Sequence, residues 1–182
     1  MDREQEFAID ISDDEMWFQG MLSHRKTKEE RMAFIHHVRA KESEVSVRQY
    51  ISWLSNMMHT YFYSMDPEEK QNYIDSFVQA PVVSPSECGE LLEILGILFK
   101  SASECSKEEI FSCIQRNASV CAENPSAIVS LCNCVRCVYN DVTPKQKDSI
   151  LELLLEIKRK NKFPFVNESI QLTIHTMKEV CV

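Results

Sequence analysis

Glycine is almost missing from this chain, with three in 182 residues. Phosphate-cradling loops and tight β-hairpins both rely on backbone conformations that only glycine adopts cheaply, so both are disfavoured and an all-helical chain is expected. No apolar run reaches the roughly 18 residues that a membrane span requires. The N-terminus lacks a basic segment followed by an apolar one, so no secretory leader is expected. Positive charge is also in deficit: 20 Lys and Arg stand against 28 Asp and Glu, for a net charge of -8 and a pI near 5.2. Such a field repels phosphate and opposes nonspecific binding to nucleic acid or to an anionic membrane. Much of the excess lies in residues 1–15, where Asp2, Glu4, Glu6, Asp10, Asp13, Asp14 and Glu15 face only Arg3. A cytoplasmic or nuclear protein is expected.

What remains is ordinary globular material. Apolar residues make up 44% and charged residues 26%, enough for one domain with a substantial core and too apolar for disorder. The eight cysteines sit inside helical apolar patterns and without an export leader, so reduced thiols are expected. Asn117-Ala118-Ser119 and Asn167-Glu168-Ser169 match the glycosylation sequon, and both read as chance matches.

The strongest pattern is a train of helix-start signals at Asp66-Pro67, Ser86, Ser106, Asn124-Pro125, Thr143-Pro144 and Asn167, at intervals of 18 to 24 residues. Each is a side-chain oxygen able to cap free backbone N–H groups, and Pro suits the first helical position because its φ is fixed and its missing N–H is not needed there. Upstream, Ser12 with Glu15, Thr27 with Glu30, and Ser46 open three more helices. Nine helices follow: residues 12–23, 28–41, from 47, 67–79, 87–102, from 106, 125–140, 144–160 and 168 to the end. Apolar stripes at the 3.6-residue period support them, such as Val47, Tyr50, Ile51, Leu54, Met58 and Tyr61. Leu91, Leu92, Ile94, Leu95, Ile97, Leu98 and Phe99 make the fifth helix apolar nearly all round, hence the most enclosed, and Gly96 in it suggests a close helix approach. Leu153 and Leu155 broaden the stripe of the eighth. Residues 1–11 read as an acidic arm and 12–182 as one helical domain, with a candidate sub-unit boundary at 80–86 around Pro81 and Pro85. Short loops make successive helices antiparallel neighbours, in hairpins of about 40 residues.

No catalytic constellation is evident, and the chain is read as non-enzymatic. Cys132, Cys134 and Cys137 invite a metal, but on a helix their side chains diverge around the axis and no second compact pair completes tetrahedral ligation. Buried thiols in a helix contact are the preferred reading, with no metal and no cofactor. His24, His36, His37, His59 and His175 make no interpretable pairing with a nucleophile. Asp13 and Asp14 offer an acidic grip for a basic partner, or complement a helix dipole. Lys158, Arg159, Lys160 and Lys162, followed by Phe163-Pro164-Phe165, form the one basic stretch with aromatics; it suits RNA phosphates and a stacked base, or the negative pole of its own helix.

Helical hairpins of this length resemble HEAT and armadillo repeats, including those that open proteasome-lid, signalosome and initiation-factor subunits. Phe7-Ala8-Ile9-Asp10-Ile11-Ser12-Asp13-Asp14 looks like the opening of the m-type subunits of translation initiation factor three, and residues 91–162 are similar to their helical repeats. That resemblance implies a right-handed stack of antiparallel hairpins and a scaffold or adaptor role in a multi-subunit complex. It implies no catalytic residue, and the winged-helix module of such subunits is not expected within these residues. Ser126-Ala127-Ile128-Val129-Ser130-Leu131-Cys132-Asn133-Cys134-Val135 looks instead like the late core helix of poxvirus-type apoptosis-regulator bundles. That likeness implies a closed globule that binds host proteins, although their Trp-Gly is replaced here by Val138-Tyr139-Asn140-Asp141. An RNA-associated repeat is a third expectation. For protein binding, surplus aromatics outside the main stripe, Trp53 and Phe62, are the expected contacts, with Asp13 and Asp14 as a second site.

Overall fold

A computed structural model of the chain describes residue 20 and residues 27–41, 45–80 and 84–179. Among these residues the structure is all-α, with eight helices and no strand: α1 (Lys28–Ala40), α2 (Val47–Tyr61), α3 (Pro67–Gln79), α4 (Pro85–Phe99), α5 (Glu104–Cys121), α6 (Pro125–Val138), α7 (Pro144–Lys160) and α8 (Asn167–Glu179). Short 3-10 turns follow α2 and α6 and precede α8. The helix expected at 12–23 lies outside the described residues, apart from Gly20, as do Asp13 and Asp14.

Helix starts follow the capping chemistry, with three departures. Thr27, Asp66 and Thr143 form capping boxes with Glu30, Glu69 and Gln146, while Ser46 and Asn124 cap α2 and α6. The cap of α4 is Ser84 rather than Ser86, because Pro85 then falls at the first helical position and Glu87 closes the box. The cap of α5 is Ser103 rather than Ser106. Ser106 lies inside the helix, where its backbone N–H is the group that Ser103 caps, and its buried hydroxyl donates to Gln71 Oε1 of α3 at 2.7 Å. Asn167 is the first residue of α8 rather than a cap before it, since its backbone is already helical, and its side-chain oxygen accepts from Asn161 Nδ2 at 3.0 Å across the preceding loop.

Each helix packs on the next but one, and every consecutive pair except α6–α7 packs as well. The pairs α1 with α3, α3 with α5 and α5 with α7 make one row, and α2 with α4, α4 with α6 and α6 with α8 make the other. The heaviest contact is α4 against α6. Its cause is two glycines seven residues apart on α4. A methyl group on Gly89 would stand 3.3 Å from Ala127 Cα, and one on Gly96 would stand 3.1 Å from Cys134 Cα. Equal seven-residue steps on both helices, in the same order, mean that α4 and α6 run parallel. Gly96 therefore serves the close approach expected of it, at the cost in helix propensity that an interior glycine carries.

One hydrophobic cluster extends from Phe34 in α1 to Met177 in α8 and includes residues on both sides of segment 80–86. Burying a side chain the size of Leu or Phe in it contributes about 1.5–3 kcal/mol. α4 is enclosed by α2, α3, α5 and α6, yet Ile97 faces outward beside Glu93 rather than joining the core. Among the described residues no helix is long and apolar enough to cross a membrane.

Candidate interaction site

Among the described residues, the α2–α3 turn carries the most exposed aromatic side chain. Helix α2 ends at Tyr61 and its 3-10 continuation, Phe62–Ser64, lifts Tyr63 into solvent at 98% exposure. Phe62 lies half-buried beneath it, with ring centroids 5.5 Å apart in an edge-on arrangement. Lys70 Nζ sits 4.4 Å from the Phe62 ring centroid, so the corner presents two rings and a cation held against one of them.

The corner is fixed from below by a buried ion pair. Arg31 on α1 donates from Nε to Glu69 Oε1 at 2.6 Å and from Nη2 to Glu69 Oε2 at 3.0 Å, and Nη2 also reaches Ser64 O at 3.3 Å. Glu69 in turn accepts from the Asp66 backbone N–H at 3.0 Å. One guanidinium thus ties α1, the turn and the start of α3 together, and the Glu69 carboxylate beside it raises its already high pKa. Lys28 bridges Asp66 at 2.8 Å and Glu68 at 2.5 Å on the surface above. Its ammonium holds the Asp66 carboxyl below the ordinary range. Tyr73, buried in the same region, has its phenol pKa pushed up by burial.

Of the two aromatics expected to contact a partner, Trp53 is overturned as a surface residue. It is 2% exposed, because α1, α3 and α4 surround α2 and turn the widened stripe into core. Phe62 stays at the surface as the base on which Tyr63 stands. Tyr63 falls beyond the end of the apolar period, and its place directly after the Tyr61-Phe62 pair is the one signal the sequence offers for it.

The basic stretch closes α7. Lys158 donates to Gln171 on α8, Lys160 Nζ bonds Glu156 at 2.5 Å, and Arg159 Nε reaches Leu155 O at 3.4 Å. Lys162 is exposed. The two following phenylalanines divide: Phe163 packs on the core, while Phe165 is 70% exposed. Leu155 on α7 and Leu172 on α8 also face solvent, the latter at 58%. Leu155 was expected to widen the buried stripe, but α7 packs against α5 and α8 through Ile150, Leu154 and Ile157, which leaves it outside. An open groove between α7 and α8 is lined by Lys158, Asn167, Glu168, Gln171, Leu172 and His175.

Cys132 and Cys134 are buried and Cys137 is exposed. Cys134 meets Gly96 across the α4–α6 seam, and Cys132 faces Ser169 and Thr173 of α8. Among the described residues no group of three or more His, Cys, Asp or Glu is placed to hold a metal ion. Comparison of the chain with protein-family models, with curated proteins and with solved structures finds no match.

Proposed function

We propose that this chain is a non-enzymatic scaffold or adaptor, built as a short right-handed stack of antiparallel helical hairpins, that binds another protein within a larger complex. The observation that carries this reading is the neighbour pattern: every helix packs on its next but one, and every consecutive pair except α6–α7 also packs, a connectivity that favours an open α-hairpin stack over helices wrapped about one centre. The contact residues are revised. Tyr63, on Phe62 and beside Lys70, is a rigid aromatic anchor of the kind that dominates interface energies. Leu155 on α7 and Leu172 on α8 offer further apolar contacts. A scaffold of this kind works by holding such groups at fixed spacing on helices that do not reorder on binding.

Affinity capture with the purified full chain, followed by cross-linking and mass spectrometry, tests the reading. A discrete protein cross-linked beside Tyr63 or Leu172 is expected, with Tyr63→Ala or Leu172→Asp lowering its retention at least tenfold. Capture that neither substitution alters would overturn these surfaces, and recovery of no stable partner would count against the scaffold itself. Small-angle scattering separates an elongated stack from the closed bundle of the apoptosis-regulator reading. An RNA-associated role has one observation in its favour, the exposed Phe165 next to Lys158, Arg159, Lys160 and Lys162. Charge reversal of Lys158, Arg159 and Lys160 that leaves RNA retention unchanged would remove it.

A further inference from the structure

The buried thiols of α4, α5 and α6 are not equivalent. Cys88, in the first turn of α4, and Cys121, the last residue of α5, place their Sγ atoms 2.6 Å apart, and both side chains are fully buried. A disulfide is about 2.05 Å long, so roughly half an ångström of approach converts this contact into a bond. Cys88 Sγ also donates to Asn117 O at 3.2 Å. Cys88 lies in the first turn of α4, where the helix dipole favours a thiolate, whereas Cys121 ends α5, where the dipole opposes one, so Cys88 is the sulfur that ionises first. Cys113 and Cys134, by contrast, are pushed up mainly by burial.

An open cleft adjoins the residue that Cys88 contacts. Val78, Gln79 and Ala80 at the end of α3, with Arg116, Asn117 and Val120 of α5, line an open cleft of about 800 Å³. Asn117, whose carbonyl Cys88 addresses, forms part of its wall. We propose that Cys88 and Cys121 are a peroxide-oxidisable pair whose disulfide staples α4 to α5. The Cys88 thiolate attacks one oxygen of hydrogen peroxide, the O–O bond breaks, and the released hydroxide leaves as water, giving a sulfenic acid. Cys121 sulfur then attacks the Cys88 sulfur, the S–O bond breaks, and its hydroxyl departs with the Cys121 proton as a second water. Two thiols lose two electrons in total and one peroxide is reduced to two waters.

Thiol counting decides it. The reduced full-length protein is treated with hydrogen peroxide, unfolded, and labelled with N-ethylmaleimide for intact-mass and peptide analysis. The expected result is two labels fewer than the eight cysteines allow, a Cys88–Cys121 cross-linked peptide, and full recovery of labelling after dithiothreitol. Retention of all eight labels, a cross-link joining any other pair in its place, or oxygen addition without a cross-link would overturn the proposal. Cys121→Ser must abolish the two-label loss. Cys113→Ser, which removes a different buried thiol from the same helix, must preserve it, and the opposite outcome for this pair of variants also overturns the assignment.

Discussion

The α1–α3 corner and the α4–α6 seam hold their helices by opposite means. At the corner, a charged pair carries the geometry: Arg31 and Glu69 are both buried, bonded to each other twice, and joined to Ser64 and Asp66. At the seam, no charge is buried and position is set by shape, with glycines on one helix admitting the backbone of the other. A charge pair fixes a turn through direction-dependent bonds and fails badly if one partner is lost. A glycine seam tolerates the loss of any one contact but not the addition of a methyl group. The corner also supports the exposed aromatic at Tyr63, whereas the seam is centred on buried residues such as Ala127 and Cys134. Precise placement of a surface group thus falls to the polar device, and bulk cohesion to the apolar one.

Substitutions at the two sites should separate these devices. The largest effect is expected from Arg31→Ala, which strands the Glu69 carboxylate in the core and should cost about 3–5 kcal/mol of stability, read as a lower urea midpoint. Replacing both Arg31 and Glu69 by Met should recover much of that loss, and a double variant no more stable than Arg31→Ala would contradict the pair's role. Gly96→Ala comes next. Helix propensity favours alanine by about 1 kcal/mol, but overpacking against the Cys134 backbone opposes it by about 1–3 kcal/mol, so a net loss near 1 kcal/mol is expected. Gly89→Ala should cost less, since one of its close contacts is the Ser130 side chain, which can rotate away. Equal melting temperatures for the two glycine variants would show that the seam is looser than its geometry.

Smaller effects should come from the rims. Glu90 lies half-buried on α4, where burial raises its carboxyl pKa more than Arg48 and His59 lower it, and Glu93 adds to the rise. A carboxyl whose pKa is raised on folding binds protons more tightly in the folded state, so its contribution is present below the ordinary glutamate range and is lost as pH rises through the folded value. Glu90→Gln should therefore stabilise the protein slightly at pH 7, with the advantage fading as pH falls through the raised folded value and gone below the ordinary glutamate range. A constant advantage at all pH values would point to packing instead. Leu172→Lys, on the exposed α7–α8 edge, should change stability by less than about 0.5 kcal/mol.

The sequence was legible wherever a residue's role depends on its near neighbours. Thr27 with Glu30, Asp66 with Pro67 and Glu69, and Thr143 with Pro144 and Gln146 announce three helices because each device is complete within four residues. Serine-rich stretches were harder. Ser84 and Ser86, or Ser103 and Ser106, offer rival oxygens; Pro85 favours Ser84 in the first pair, and in the second the helix starts early enough for Ser103 to cap. Gly96 could be read as a close approach because a glycine inside an apolar helix has few other uses. Trp53 and Leu155 could not be placed, since each belongs to a broad stripe whose width says nothing about how many neighbours will cover it.

Local chemistry in the chain determined where helices start, which side of each is apolar, and that the fold has no strands among the described residues. The tertiary structure alone decided that Arg31 meets Glu69, that Cys88 meets Cys121, and that Tyr63, Phe165 and Leu172 stay in solvent. Capping and periodicity act over one or two turns of helix. Pairing and exposure depend on residues more than thirty positions apart, whose distance is fixed only when the two rows of helices pack.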